Sequence, residues 1–174
     1  MAIPKTYSAF RRTTGDLPLT IEQSTETLPE TLGSQDVLIK VHAVSLNFRD
    51  VGMLVGRYPF PTDERGIVAS DCAAEVVQIG SDVKDFKIGD HVAPNFDLNN
   101  ITGYEDGVPL LGLGGNATGV LREYAIFEAK HLVQLPKYMS WEEVSLELVQ
   151  GFKSLTLFFP KGVNARLCWS YSMD

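Results

Sequence analysis

Cysteine is nearly absent: Cys72 and Cys168 are the only two in 174 residues. Two thiols so far apart make no disulfide framework, and without a C-x-x-C pair there is no structural zinc site of the thiolate kind. Cys72, between Asp71 and Ala73 at the start of an apolar strand, reads as a buried and inert thiol. Positive charge is scarce too, with 15 Lys and Arg against 22 Asp and Glu and a net charge of −7. Phosphate-tracking proteins gather their cations on one face, whereas here Arg11-Arg12 is the only adjacent basic pair, which excludes nucleic acid as an expected partner. Apolar runs such as Leu155 to Phe159 fall far short of the ~20 residues of a membrane helix, so no membrane association is expected. The N-terminal MAIPKTYSAFRRTTGD lacks a secretory apolar run, and Pro4 and Asp16 interrupt any amphipathic transit helix. It reads as the first strand and hairpin of the domain, and the cytoplasm is the expected location. No G-x-S-x-G is found, so hydrolase chemistry has no support.

What the chain has is apolar content, 44%, enough to fill a core and to exclude wholesale disorder. Its organising stretch runs from Val37 to Pro94. Val37, Ile39, Val41 and Ala43 alternate with Leu38, Lys40, His42 and Val44, the period of a strand with one face on a core, which puts Lys40 and His42 on the wetter face. A second β-rich run, Ala73 to Ile79, stops at the Gly80-Ser81-Asp82 turn. A further turn at Gly89-Asp90 leads into a short strand ending at Pro94. Residues 18–36 are polar and turn-rich around Pro29 and Gly33, and read as a hairpin and surface loop.

Beyond Pro94, six glycines between Gly103 and Gly119 predict a long, flexible excursion before a strand from Arg122 to Phe127. Within it, residues 112–117 formally match G-x-G-x-x-A. The dinucleotide fingerprint requires a strand before the glycines and a helix directly after them, and here Asn-Ala-Thr-Gly and another strand follow. The glycines therefore read as a structural loop. Ser140-Trp-Glu-Glu is a capping box opening a helix, with Trp141, Val144, Leu148, Phe152, Leu155 and Phe159 at helical spacing and Pro160 ending it.

Three ordered phrases, AVSLNFRD (43–50), AEVVQIGSDVKDFKIGDHVAP (74–94) and GVLREYAIFEAKHLVQLP (119–136), resemble the N-terminal catalytic domain of the medium-chain dehydrogenase/reductases. The likeness is strongest to the zinc-independent branch, the quinone oxidoreductases and the enoyl reductase domains of polyketide synthases. It implies a mainly β, GroES-like, partly open barrel with a few short helices over residues 1–139. Residues 140–174, a helix and a divergent tail, stand where the family begins its Rossmann nucleotide-binding domain. After Pro136 only 174 − 136 = 38 residues remain, and one βαβ unit takes about 30 or more. The cofactor domain is therefore expected to be missing, and this chain to be a truncated product, inactive alone.

The resemblance also implies a site. Where zinc-dependent members carry a cysteine and a His-Glu pair, this chain has Asn47 and Ser70-Asp71, so no zinc is expected. NADP(H) is the implied hydride source. A conjugated acceptor needs only donors around its developing enolate oxygen, and Asn47 and Arg49 are the implied catalytic donors, with Asn47 beside the nicotinamide. Phe48 and Tyr58 are placed in the substrate pocket, and Asp50 and Asp71 in the structural loop. The quinone oxidoreductases carry a tyrosine five residues after the loop asparagine, where this chain has Gly52.

Each residue also has a plainer reading. Asn47 caps a strand end or helical turn, Arg49 pairs with Asp50 or Asp71, and Tyr58 packs beside its prolines. His42, His91 and His131 are solvated or satisfied within the fold. The expected partner is a small-molecule substrate, with a homo-oligomer or a pairing with an intact homologue as further association. Two other readings remain open. One is a non-catalytic GroES-like binding module. The other is an unstable product whose Trp141, Phe152, Phe158 and Phe159 form an apolar patch.

Overall fold

The structure, a computed structural model, describes residues 3–150. Two sheets carry it. The first is the hairpin of β1 (Thr6–Arg12) and β2 (Ile21–Thr27), with Thr6 opposite Thr27 and Arg12 opposite Ile21. Residues 21–27 are thus the second strand of the expected hairpin, and the loop part is confined to residues on either side of it. IEQSTET is polar on both faces, so its period of two carries no hydrophobic signal.

The second sheet has five antiparallel strands in the order β6-β3-β4-β5-β7. These are β3 (Asp36–Ser45), β4 (Asp71–Ile79), β5 (His91–Pro94), β6 (Tyr124–Glu128) and β7 (Leu132–Gln134). The alternation expected of β3 is broken by register shifts at Leu38/Ile39 and Val41/Ala43, so Val37, Leu38 and Ile39 are buried in succession. Lys40 and His42 do share a neighbour: Lys40 lies opposite Glu75, and His42 Nε2 is 3.1 Å from Glu75 Oε2. The expected turns are present, with Gly80 N–H donating to Asp36 O and Gly89 at φ +85°.

The hairpin closes one side of the curled sheet. Phe10 N–H donates to Leu121 O, Arg12 N–H to Gly66 O and Glu123 N–H to Ser8 O. Val37, Ile39, Val76, Val92, Leu113, Val120 and Phe127 fill the interior. The result is the expected mainly β, partly open barrel, with two α-helices among the described residues, α1 (Phe48–Leu54) and α2 (Trp141–Gln150).

The glycine-rich excursion is tied down rather than loose. Leu98 N–H donates to Leu111 O and Leu113 N–H to Phe96 O, while the Asn116 side chain accepts from Gly112 N–H and donates to Leu110 O. At α2, the Ser140–Glu143 capping box forms as expected, at 2.9 and 3.2 Å. Val144 packs against Ala73, Ala93 and Leu135, and Trp141 lies between His42 and His91. The expected continuation to Phe159 and Pro160 falls outside the described residues.

Candidate active site at the open ends of β3 and β4

Antiparallel pairing sets Ser45 opposite Asp71, so the chain leaving β3 and the chain entering β4 meet at one edge. Asn47 follows β3 directly and is the N-cap of α1. Its Oδ1 accepts from Arg49 N–H at 2.9 Å, and its own N–H donates to Asp50 Oδ2 at 2.9 Å, a reciprocal cap that fixes the side chain. Asn47 Nδ2 donates to Asp71 Oδ2 at 3.3 Å, and Ser70 Oγ donates to the same oxygen at 2.5 Å.

Asp50 is buried and accepts from two loop amides: besides Asn47 N–H it accepts from Ala69 N–H at 3.2 Å. That bond helps hold Ala69 at φ +67°, a left-handed conformation rare for a residue with a Cβ. Burial pushes the Asp50 carboxyl above the ordinary range, opposed by its bond from Asn47 and by Arg49. Burial also raises Asp71, against the pull of the Ser70 hydroxyl, and the neighbouring Asp50 charge raises it further.

Arg49 pairs with neither aspartate. Its Nε donates to Tyr58 Oη at 2.9 Å and its Nη1 to Leu113 O at 2.8 Å. The guanidinium also lies over the Tyr58 and Phe96 rings, at 5.0 and 4.9 Å. Tyr58 is thereby the acceptor that orients Arg49, and it packs edge-on against Phe60. Phe48 projects outward, 70% exposed.

Sequence reasoning missed Arg12. Only 2% exposed, its guanidinium donates to Gly114 O at 2.6 Å, Asp63 O at 2.9 Å and Gly115 O at 3.3 Å. All three acceptors are backbone carbonyls distant in sequence, so no side-chain pattern announces them. Together Arg12 and Arg49 explain the G-x-G-x-x-A segment. Its carbonyls turn toward two cations, and a Cβ on Gly115 would stand 2.6 Å from Arg49 Nη2. The carbonyls of the loop are held by guanidinium groups.

Residues 33–137 match the alcohol dehydrogenase GroES-like domain. The chain belongs to this family. It is 37% identical over 123 residues to a zinc-type alcohol dehydrogenase-like protein of Schizosaccharomyces pombe, covering 68% of this chain and 34% of the relative. With the chloroplastic quinone-oxidoreductase of Triphysaria versicolor it shares 39% over 115 residues, 65% of this chain and 30% of that protein. The crystal structure of a putative alcohol dehydrogenase from Sinorhizobium meliloti superposes with a TM-score of 0.76 at 27% identity, over 84% of this chain and 44% of the other. The GroES-like chain thus spans about a third of the length of these curated relatives. Its relatives in the family are oxidoreductases by name, and the GroES-like fold accounts for the barrel described above.

The donor set at its site is oxygen and amide. Asn47, Ser70 and Asp71 are engaged with one another, and among the described residues no group of three His, Cys, Asp or Glu side chains is placed to hold a metal ion. Amide and hydroxyl oxygens are poor zinc ligands, and the one carboxylate of the set, Asp71, is engaged by Asn47 and Ser70, so these residues do not fit that ion. Cys72, entirely buried, has its thiol pushed up to about 12 by burial. No helix among the described residues is long and apolar enough to cross a membrane.

Proposed function

We propose that this chain forms the substrate-side domain of a zinc-independent oxidoreductase that moves hydride from NADP(H) to an activated C=C or carbonyl, in an enone, quinone or enoyl thioester. The observation that carries this reading is the fixation of the Asn47 amide. One of its Nδ2 hydrogens is held by Asp71, and its oxygen is held by the α1 cap. The second Nδ2 hydrogen has no partner among the described residues. A donor pre-set in this way stabilises charge developing on a carbonyl oxygen without reorganising, and it needs no Lewis acid.

Arg49 takes a different part from the one first expected. Its Nε and Nη1 are engaged by Tyr58 and Leu113, so it positions α1 against the glycine loop instead of meeting substrate. Phe48, exposed beside Asn47, supplies apolar wall to the pocket, and Tyr58 shapes it through Arg49. Ser70 and Asp71 orient Asn47. NADP(H), when bound, supplies the hydride. It would meet this chain through Asn47 at its nicotinamide end.

The test is a chimera in which residues 1–139 replace the matching segment of a quinone oxidoreductase. It should reduce cyclohexenone or benzoquinone with NADPH, and Asn47→Ala should lower kcat on the order of 10²-fold. A zinc chelator should leave the rate unchanged. A folded chimera that binds NADPH but reduces neither acceptor, or whose rate survives Asn47→Ala, overturns the reading.

A further inference from the structure

A cavity of about 310 Å³ opens along β6, and Asn47, Arg49 and Asp71 do not line it. Arg122 does. Its guanidinium is largely buried, which lowers its pKa, and the Tyr7 hydroxyl opposes the shift by its charge and a hydrogen bond. Buried Nε has no hydrogen-bond partner, and among the described residues no carboxylate lies within ion-pairing distance of the group. The Phe127 ring lies 5.9 Å from Cζ. Arg12 shows what this fold provides for a cation that it satisfies internally: three carbonyls and the Met53 sulfur. Arg122 has less: a neighbouring Tyr7 hydroxyl, an aromatic ring and a buried Nε with no acceptor, so a charge-matched partner would stabilise it.

The surroundings say what would complete it. Leu98, Leu113, Ile126 and Phe127 give the cavity apolar walls, and Thr118 adds a hydroxyl. His131 also lines it, but burial lowers its pKa, so Arg122 is the only permanent cation of the lining. The two acids at the rim are already engaged. Asp36 accepts from Gly33 N–H at 3.0 Å, and the exposed Glu128 is paired with Lys130 at 2.7 Å. Water could satisfy Nε, but it would neither balance the guanidinium charge nor complement four apolar side chains. A carboxylate matches the guanidinium fork with two parallel bonds. The volume suits one small ligand.

We propose that this cavity binds a small carboxylate with an apolar body, its carboxylate on Arg122 and its body against Leu98, Leu113, Ile126 and Phe127. The inference stands apart from the hydride-transfer reading, since it concerns different residues and needs no turnover.

Binding is measured on the full chain by calorimetry and by the rise in Tm, with benzoate, acetate, sulfate and the neutral benzyl alcohol as probes. Benzoate should bind saturably, and acetate, sulfate and benzyl alcohol each at least about tenfold more weakly. Arg122→Met should weaken benzoate at least about tenfold while the variant keeps the wild-type circular dichroism, because no ion pair is lost. Should Arg122→Met fail to fold, Arg122→Lys serves: it keeps the charge, loses the fork and should still bind benzoate more weakly than wild type. Equal benzoate affinity in the variant that folds, benzyl alcohol or sulfate binding as tightly as benzoate, or no saturation by ~10 mM overturns the proposal.

Discussion

His42 of β3 and Trp141 of α2 stack face to face, with ring centroids 4.3 Å apart and planes 9° from parallel. His91 of β5 covers the other face of the indole at 3.9 Å. The helix is fastened to the sheet by one ring inserted between two.

Trp141→Ala should therefore cost about 2 kcal/mol, less than a fully buried tryptophan because the ring is partly exposed, and Trp141→Phe should recover more than half of that. Urea unfolding of the three proteins measures it. A cost within about 0.5 kcal/mol of zero would mean that the ring is not what holds the helix to the sheet.

Asp50 joins two loop amides that have no alternative acceptor, those of Asn47 and Ala69. Asp50→Ala should cost about 3 kcal/mol, the cap and a buried amide together, while Asp50→Asn, which keeps one acceptor, should cost about 1 kcal/mol less. Equal losses in the two variants would show that packing, not hydrogen bonding, is the function of the side chain.

The pH dependence has two opposing parts. Asp50 and Asp71 hold their protons more tightly folded than at the ordinary 3.8, so their contribution is full below that pH and is lost as pH rises through the raised folded values. Glu26 runs the other way. The Arg11 guanidinium at 2.7 Å holds it at about 2 against an ordinary 4.5, so its contribution is present above pH 4.5 and is lost as pH falls toward 2. Asp71→Asn keeps the bond from Ser70 without the buried charge. It should match or exceed wild-type stability at pH 7 and show a flatter decline between pH 4 and 7 in Tm measurements. A variant that is less stable at pH 7 with an unchanged slope would sink this account.

Two glycines should respond differently to alanine. A Cβ at Gly119 would meet Val68 O at 2.3 Å and Ile67 O at 2.4 Å, rigid backbone on both counts. At Gly112 the first contact is the Phe96 ring at 3.0 Å, a side chain that can give way. Gly119→Ala should cost on the order of 3 kcal/mol and Gly112→Ala about 1 kcal/mol or less, read by chemical denaturation.

Cys72 should stay unmodified in the native state. With the thiol pushed up to about 12 and no exposure, labelling by a thiol reagent in a Cys168→Ser variant should proceed only as fast as the protein opens. Rapid stoichiometric labelling without unfolding would contradict its burial.

What the sequence discloses here is mostly local. The alternation of β3, the turns at Gly80 and Gly89, the Ser140–Glu143 box and the capping character of Asn47 all lie within a few residues of one another, where side-chain type and spacing determine structure. The role of Asp50 as an acceptor for loop amides was legible for the same reason. Arg12 and Arg49 were not, because their partners are carbonyl oxygens up to about a hundred positions away, and every residue type offers that group. Nor could three scattered rings announce that His42, Trp141 and His91 would meet, since strand order and a helix packing together decide it. Within the expected hairpin, the extent of β2 was not legible because the strand is polar on both faces.

The two guanidinium groups that hold the carbonyls of residues 113–115 also bear on where this domain can be cut. The segment shared most clearly with the family begins at residue 33, yet one of the two cations that seat the glycine loop is Arg12, which precedes it. Excised at the family boundary, the barrel would leave Gly114 O and Gly115 O facing a void, and the loop that carries Leu113 into the core would lose one of its two anchors. The bounds of the matched segment are therefore not the bounds of the packed unit: the N-terminal hairpin is the clasp that supplies Arg12 to the glycine loop.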